Sequence, residues 1–406
     1  MENFLTTIKI AITVMGIAVF SGCFYDSGEV NLLTDDVILY DVVEKYNKTF
    51  HERRVNVLYF NDKSGNIFKT YNANDLKNVD IIAGSYYADV PINSKKYKKI
   101  DKEIIDNKNF SNLVKSYIAN SRYLSIPYSS DFFVLKAIPS VEFDNTPNSL
   151  NINEFIEINK KNSVFDENTN SYVTLSYSPL GSITDGLDYL FILNAKLKKE
   201  NGYYSFNGQA ENFAYNFYFK YDDLYNKGID ITKKYFDYYK NVDKSFYVKK
   251  RIMNYDFIRL SKALSYGKDY KIVFIEDQQF GSLKKKVVAV SKNSFTSRKS
   301  LLFIDYLLGF ETQKFLYETT LKHREFYEYV HIPIYAEIFD ATNDSIESKT
   351  SEYIKRELTK LVEPYFYSSK IQERFFQGYY DAVDAFSKGQ VGEKDFLKFL
   401  TNEINK

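Results

Sequence analysis

Short β-rich runs that alternate with segments of helical period are the feature that most constrains the fold of this chain. Strand patterns cover Val55–Phe60 and Val79–Gly84, and the second is followed by Ser85 and two tyrosines. A helical pattern begins at Asp35 and Asp36, acidic residues that suit a first helical turn. Strands that alternate with helices favour a sheet covered by helices, so the sequence predicts an α/β protein.

The same alternation continues toward the C-terminus. One helix is predicted over Ile104–Asn120, and another over Arg298–Leu308. Two β-rich runs, Tyr270–Ile275 and Lys286–Val290, are predicted to return the chain to the first sheet. Residues 351–406 show a mostly helical pattern.

The N-terminal segment has the form of an export signal. Lys9 precedes the apolar stretch Ile10–Phe20, and two small residues then precede Cys23, the only cysteine of the chain. The stretch is shorter than the roughly 18 residues of a membrane span. It resembles a bacterial lipoprotein signal, in which Cys23 becomes lipidated and anchors the mature protein. The alternative is an N-terminal hydrophobic helix with a buried cysteine. Asp26–Asn31 is interpreted as a tether.

Composition excludes several classes of function. The chain has 54 Lys and Arg against 53 Asp and Glu, a net charge of +1, which gives no basic footprint for nucleic acid. One cysteine and three scattered histidines offer no metal-ligand cluster. No sequence motif of a nucleotide-binding or catalytic site occurs. The sequence therefore gives no indication of an enzyme, a cofactor or a metal site.

Five segments resemble, in order along the chain, the extracellular solute-binding lipoproteins of bacterial ABC importers, the family that includes maltodextrin-type sugar binders. Residues 79–92 are similar to a strand that ends at a ligand-facing loop, and residues 123–136 to the segment that enters the second lobe. Residues 149–161 resemble the helix that opens that lobe. Residues 285–318 carry the most specific resemblance, and residues 331–339 resemble the proline-containing piece that follows.

The resemblance implies a two-lobed, periplasmic-binding-protein-like α/β fold with a hinged cleft between the lobes and a helical C-terminus. The expected divisions are a signal peptide at 1–22, lobe 1 at 23–135, lobe 2 at 136–265, a return to lobe 1 at 266–330, and a helical part at 331–406 that belongs mainly to lobe 2.

Open α/β sheets bind ligands at the loops beyond the carboxyl ends of their strands. The residues expected to bind ligand are Ser85, Tyr86, Tyr87, Tyr128, Ser129, Asp131, Ser178 and Gly181. For three of these residues the sequence allows two interpretations. Tyr86 and Tyr87 fit equally an aromatic core, and Asp131, if buried, is either a ligand contact or a helix cap.

The function that the resemblance implies is capture of a small polar solute, a sugar or oligosaccharide, by lobe closure and its delivery to an ABC permease. The protein is then an exported monomer, lipid-anchored and facing the periplasm or the cell exterior. Trp is absent, but the 37 tyrosines can offer ring faces and hydroxyls to a sugar. The alternative is a surface lipoprotein of the same fold that has become a protein or host interaction module, with a filled cleft and an exposed apolar patch.

Overall fold

The computed structural model describes residues 28–52, 54–60, 66–71, 76–137, 147–162, 164–166, 168, 171–174, 197–206, 255–266, 270–341, 348–387, 390–391 and 393–406. In these segments the strands are β1 (Val30–Thr34), β2 (Val55–Tyr59), β3 (Ile81–Tyr87), β4 (Tyr97–Lys98), β5 (Ile126–Ser129), β6 (Phe133–Ala137), β7 (Ser149–Leu150), β8 (Val164–Asp166), β9 (Ser171–Thr174), β10 (Leu197–Glu200), β11 (Tyr203–Phe206), β12 (Tyr255–Arg259), β13 (Lys271–Ile275) and β14 (Lys284–Ser291).

The helices of the same segments are α1 (Ile38–Thr49), α2 (Ile67–Thr70), α3 (Lys102–Asp106), α4 (Asn112–Asn120), α5 (Ile152–Asn162), α6 (Leu260–Ser265), α7 (Ser297–Leu307), α8 (Phe310–Lys322), α9 (Ile338–Ala341), α10 (Ser348–Lys360), α11 (Ser369–Ser387) and α12 (Glu393–Asn405). None of the helices in the described segments is both long and apolar enough to cross a membrane.

A six-stranded sheet organises the first part of the molecule. Its strands follow the order β2-β1-β3-β14-β4, and β5 also pairs with β14. β1 pairs in parallel with β2 and β3, whereas β14 is antiparallel to β3, β4 and β5. The carboxyl ends of β1, β2, β3 and β5 therefore share one edge of the sheet, at which β14 begins.

Alternation along β14 divides its side chains between the two faces of this sheet. Val288 and Val290 belong to one apolar cluster, together with Leu32 of β1. Val287 and Ala289 belong to the other cluster. Successive side chains of a strand point to opposite faces, so both faces of β14 are buried, as expected of a strand inside a covered sheet.

A second sheet has the strand order β12-β6-β13-β7. Lys271–Ile275, expected in the first sheet, is instead its strand β13, which pairs antiparallel with β6 and parallel with β7. The later of the two predicted strands, β14, does pair within the first sheet, beginning at Lys284. The prediction for β13 failed because an apolar β-rich run shows that a strand is buried without showing which sheet buries it.

Two further expectations are corrected. Part of the expected tether, Asp26–Asn31, belongs to β1, because Val30 and Asn31 pair with β2. The single helix predicted over Ile104–Asn120 is divided into α3 and α4. The Ser111 N–H, just before α4, donates to the Ile334 carbonyl oxygen at 2.9 Å, a tertiary hydrogen bond that a continuous helix would forbid because the N–H would be used within the helix.

The C-terminal part is helical from α9 to α12, as predicted. α11 buries Ile371, Phe375, Phe376 and Tyr379 along one side, at the three- and four-residue spacing of an amphipathic helix. These side chains join the same apolar cluster as Val287 of the first sheet.

Candidate functional site

Charged side chains converge where the six-stranded sheet presents its carboxyl ends. Asp35 and Asp36 directly follow β1, and Lys286 lies near the start of β14. Ser85 of β3 is the register partner of Lys286. We call this group the carboxyl-edge cluster, and its members are Asp35, Asp36, Ser85, Tyr128, Lys286 and Tyr329.

Asp36 is the buried centre of the cluster. Its Oδ2 accepts a hydrogen bond from the Tyr128 hydroxyl at 2.7 Å and lies 3.3 Å from Lys286 Nζ. Its Oδ1 accepts from the Tyr329 hydroxyl, and its own N–H donates to Thr34 Oγ1 at 3.0 Å. Burial acts to raise the pKa of Asp36, but the Lys286 ammonium and the two tyrosine hydroxyls outweigh it, so the pKa lies below its ordinary value. Asp36 is therefore a stable carboxylate.

Asp35 differs because it is only half-buried and has fewer partners. Its Oδ1 accepts the Ser85 N–H at 2.9 Å. Burial raises the pKa of Asp35 above its ordinary value, although the charge of Lys286 opposes the change. A Cβ added at Gly84 would lie 1.9 Å from Asp35 Oδ1, so only glycine lets this carboxylate reach β3. The Asp35 carboxylate is thus held at the edge with capacity to accept further hydrogen bonds.

Tyrosine rings flank the carboxylates. Tyr40 of α1 is 41% exposed, and its ring centroid lies 6.0 Å from that of Tyr59, the last residue of β2. Burial raises the pKa of the Tyr59 hydroxyl, and the charges of Asp35 and Asp36 raise it further, which places this ring beside the cluster. The Tyr327 hydroxyl lies 3.5 Å from Asp41 Oδ2. The edge therefore offers ring faces beside carboxylate oxygens.

His331 is a buried neighbour of the cluster and packs against Tyr128. The imidazole is fully buried, stacks on Tyr128 with a centroid separation of 6.2 Å, and its Nε2 lies 3.1 Å from Gln313 Oε1. Burial lowers the pKa of His331 to about 3, with the nearby Asp36 charge opposing the shift and Lys286 favouring it. The histidine is consequently neutral across the physiological range.

The sequence-predicted ligand residues separate into groups. Ser85 and Tyr128 lie in the carboxyl-edge cluster. Ser129 is buried beside it, and its hydroxyl donates to the Ile332 carbonyl oxygen at 3.2 Å. Tyr87, at the end of β3, is half-buried, and its ring centroid lies 5.8 Å from that of Phe376. Ser178, Gly181 and Cys23 lie outside the described residues.

Asp131 lies apart from the cluster and has internal partners. Its Oδ1 accepts the Ser261 N–H at 3.1 Å, and its Oδ2 accepts the Ser261 hydroxyl at 2.5 Å. Arg259 Nη1 is 3.8 Å from Oδ2. Ser261 lies in the first turn of α6, where the N–H groups have no partner within the helix. The Asp131 carboxylate, from the segment between β5 and β6, therefore caps α6. The sequence left Asp131 open as a ligand contact or a helix cap, and the contacts seen in the structure are those of a helix cap.

Tyr86 faces away from the cluster, on the opposite side of the sheet. It lines a cavity of about 380 Å³ with Tyr117, Lys285, Glu363 and Gln372. We call this space the Lys285 cavity. The buried Lys285 ammonium contacts the buried Glu363 carboxylate and lies 4.9 Å from the centroid of the Tyr117 ring. The Gln372 side-chain amide approaches the Tyr86 hydroxyl at 3.5 Å.

Sequence reasoning missed all three charged members of the cluster. Asp35 and Asp36 were interpreted as first-turn residues of a helix, because the preceding strand β1 was not predicted. Lys286 was predicted to lie in a strand and was given no functional role. No motif or pattern around Tyr329 or His331 indicated that they belong to a site. The usable signal was the apolar run from Val30 to Thr34 followed at once by two aspartates. Among the described residues, no group of three or more His, Cys, Asp or Glu side chains could hold a metal ion.

No protein-family model and no curated protein sequence matches this chain. Several solved structures, in contrast, superpose on this chain. The maltose-bound MalE3 of T. maritima superposes with a TM-score of 0.60 and 14% identity, over 93% of this chain and 98% of that one. An extracellular solute-binding protein of Staphylococcus aureus in complex with maltose gives 0.58 and 13% identity, over 94% and 97%. The ABC substrate-binding protein Lmo0181 of Listeria monocytogenes, in complex with cycloalternan, gives 0.61 and 13%, over 93% and 98%.

These likenesses span nearly the whole of each chain. The molecule therefore has the two-lobed, periplasmic-binding-protein-like α/β fold of the substrate-binding proteins of ABC transporters. The fold class predicted from the sequence is confirmed.

Proposed function

We propose that this protein is the solute-binding component of an ABC import system, which captures a sugar or oligosaccharide by lobe closure and delivers it to a membrane permease. The fold supports this proposal, since three proteins that share it over almost their full length were solved with maltose or cycloalternan bound. In such proteins the ligand drives closure only by binding the closed state more tightly than the open one. The protein then works without catalysis.

The observation that carries the proposal is the half-buried carboxylate of Asp35 beside the ring of Tyr59, which in turn contacts the exposed ring of Tyr40. A carboxylate accepts hydrogen bonds from sugar hydroxyls, and an aromatic face packs on the apolar side of a pyranose ring. A small number of placed polar groups among apolar walls is the usual composition of a ligand site. The carboxyl edge supplies both kinds of group.

We assign direct ligand contacts to Asp35, Ser85 and Tyr87 in the first lobe, and we keep Ser178 and Gly181, which lie outside the described residues, as predicted ligand contacts. Tyr128 acts as a positioning residue, because its hydroxyl is committed to Asp36. Ser129 and Asp131 support the site through the Ile332 carbonyl and the α6 cap, respectively. Tyr86 shapes the opposite face of the sheet.

A thermal-shift screen of the mature chain against maltose, maltodextrins, mannobiose, polyols, amino acids and polyamines tests the proposal. A ligand that binds the native state must raise the apparent stability by mass action. A saturable shift with one carbohydrate class is expected. If the folded protein responds to no solute, the proposal is wrong and the chain is better described as a surface interaction module on a solute-binding fold.

We further propose that the protein is exported and anchored through lipidated Cys23, as a monomer. The variant Cys23→Ser should move from the membrane fraction to the soluble fraction of expressing cells, because one cysteine carries the acyl chains. Radiolabelled palmitate should be incorporated into the parent chain and not into the variant. Unchanged membrane partition of the variant would refute the anchor without touching the ligand-binding proposal.

A further inference from the structure

The edge of the six-stranded sheet opposite the carboxyl-edge cluster carries an exposed aromatic side chain. β14 ends there at Ser291, β1 and β3 begin there, and the loop after β14 places Phe295 in solvent with 92% of its surface exposed. Most soluble proteins place isolated apolar side chains on the surface. Phe295 therefore becomes informative only through the way it is held and what surrounds it.

The loop that carries Phe295 is fixed by buried polar contacts. The Ser294 hydroxyl donates to Asp80 Oδ1 at 2.6 Å, and Ser294 itself is buried. Lys98 Nζ donates to the Ser294 carbonyl oxygen at 2.7 Å, and Lys292 Nζ donates to the Ser94 carbonyl oxygen at 3.1 Å. Lys98 Nζ also donates to Ser297 Oγ at 2.7 Å, so residues on both sides of the ring are tied to β4 and the exposed position of the ring follows from a defined loop.

Exposed basic residues lie along this edge of the sheet. Lys292 and Arg298 are exposed on either side of Phe295, and Lys77 is exposed in the turn before β3. Exposed Arg54 adjoins the first strand, since its carbonyl oxygen accepts the Val30 N–H at 3.0 Å. We call Arg54, Lys77, Lys292, Phe295 and Arg298 the basic edge.

Among the described residues of this edge the acidic groups are few, and two of them already accept hydrogen bonds. Asp80 is buried and bonded to Ser294 and to the Asn31 N–H. The Glu29 carboxylate accepts a hydrogen bond from the Asn56 amide at 2.6 Å, and Glu52 is exposed. Although the whole chain carries a net charge of only +1, this edge is therefore locally positive.

The chain leaves the described fold at the same edge. Gly28 is the first described residue, and its carbonyl oxygen accepts a hydrogen bond from Lys299 Nζ in the first turn of α7, four positions after Phe295. Cys23 precedes Gly28 by five residues, which reach at most about 18 Å when fully extended. A lipid on Cys23 would therefore hold this edge within that distance of the bilayer.

We propose that the basic edge docks on an anionic lipid surface, with Phe295 inserted at the headgroup level and the basic side chains against lipid phosphates. The proposal rests on the lipid anchor of the proposed function for its geometry. Aromatic rings and basic residues are the groups that bind membrane interfaces. Docked in this way, the protein turns its carboxyl-edge cluster away from the bilayer, toward the compartment that supplies the solute.

Vesicle binding by the unlipidated mature chain tests this directly. The chain begins at position 23 with Cys23→Ser, which retains every described residue. Co-sedimentation is measured with vesicles of phosphatidylcholine alone and of phosphatidylcholine with phosphatidylglycerol. Binding is expected only to the anionic vesicles, and it should weaken as salt is raised, because exposed charges are screened over about 10 Å at 0.1 M salt.

Matched variants separate the basic edge from general surface effects. Phe295→Ala should lower the partition to anionic vesicles several-fold, whereas Phe326→Ala, which removes a ring that is 68% exposed after α8, should not. The double variant Lys77→Gln/Arg298→Gln, which leaves the contacts that fix the loop intact, should lower it by about fivefold per charge removed. Lys322→Gln, at the end of α8, removes one charge elsewhere and should have no such effect.

Equal binding to both vesicle types, or no binding to either, would overturn the proposal, as would a Phe295→Ala protein that binds as the parent does. Far-UV circular dichroism confirms that each variant is folded. Failure here is distinct from failure of the proposed function, because the solute-dependent thermal shift is measured without lipid. It is also distinct from loss of the anchor, which is read from acylation at Cys23.

Discussion

Lys285 and Lys286 are neighbours on β14, yet their side chains enter two different environments on opposite faces of the sheet. Lys286 joins Asp36 in a cluster where two tyrosine hydroxyls also donate to the carboxylate. Lys285 meets Glu363 in the Lys285 cavity, and no hydroxyl that donates to Glu363 is seen among the described residues. Both pairs join one lysine to one buried carboxylate.

The pKa values of the Asp36 and Glu363 carboxyl groups are shifted in opposite directions. The pKa of Asp36 falls below its ordinary value, whereas burial raises the pKa of Glu363 and lowers that of Lys285 despite their contact. The difference teaches that a lysine alone does not compensate burial of a carboxylate, and that added hydroxyl donors do. The carboxyl edge therefore holds the Asp36 charge beside Asp35, whereas in the Lys285 cavity the Glu363 carboxylate is paired with a lysine alone.

The largest contrast is expected from Lys285→Met against Lys286→Met. Lys285→Met leaves Glu363 buried without a cation and should lower the free energy of unfolding by about 3–5 kcal/mol. Lys286→Met leaves Asp36 with its hydroxyl donors and should cost less, about 1–3 kcal/mol. Urea denaturation at neutral pH measures both. The double variant Lys285→Met/Glu363→Gln should recover much of the loss, and equal losses for the two single variants would contradict the comparison.

Removal of one hydroxyl from each face gives the next effect. Tyr128→Phe deletes the donor to the Asp36 carboxylate and should cost about 1.5–3 kcal/mol, the range for a hydrogen bond to a charged group. Tyr117→Phe, in the Lys285 cavity, deletes a neutral hydrogen bond to the Ser125 hydroxyl at 2.9 Å and should cost about 1 kcal/mol. Thermal denaturation of the two variants should rank them in that order, and the reverse order would argue against the importance of the Asp36 charge.

His331 makes the carboxyl-edge side sensitive to mild acid. Its folded pKa, about 3, lies below the ordinary value of 6.5, so the unfolded chain binds a proton more readily. Its contribution to stability is full above pH 6.5 and decreases by about 1.4 kcal/mol per pH unit as the pH falls from 6.5 toward 3. Unfolding measured between pH 7 and pH 5 should therefore show a shallower pH slope in His331→Gln than in the parent chain. Parallel slopes would mean that the imidazole is already charged in the fold.

The smallest effect on stability should accompany the largest effect on binding. The folded pKa of Asp35 is raised, so its ionisation at neutral pH opposes folding. Asp35→Asn should leave stability unchanged or raise it by less than about 1 kcal/mol. It should weaken carbohydrate affinity tenfold or more, measured by calorimetry with the ligand found in the screen. Asp305→Asn, a partly exposed aspartate that pairs with Lys108 at 2.7 Å, is the control with unaltered affinity.

Local pattern was enough to predict many elements. The strand at Val55–Tyr59 and the helix at Ser297–Leu307 match their predicted bounds within a residue at either end. In each of these segments the spacing of apolar residues shows the period of a strand or a helix without reference to the rest of the chain. β1 was missed because Val30–Thr34 is short and follows a polar stretch that was interpreted as a tether. That omission hid the position of Asp35 and Asp36 at the end of a central strand.

Residue by residue, the candidate site was only partly predictable. Ser85 and Tyr128 could be placed at this edge from the sequence because each lies at or near the carboxyl end of a strand visible in it, and their contact with ligand stays a prediction. Tyr86 occupies the next position along β3, and alternation sends its side chain to the opposite face. A loop-based prediction cannot separate neighbours of this kind unless the strand is known to continue to Tyr87.

The sequence by itself determined the α/β class, several of the strands and helices, and the chemical types available at the ends of those strands, because these follow from periodicity and from residue type. Tertiary structure alone decided that Lys286 faces Asp36 while Lys285 faces Glu363, that Asp131 caps α6, and that β13 joins the second sheet. Each of these depends on the pairing and register of segments far apart in the chain. Register is fixed by which faces can be buried together, and a shift of one residue would exchange the two lysines between the two faces.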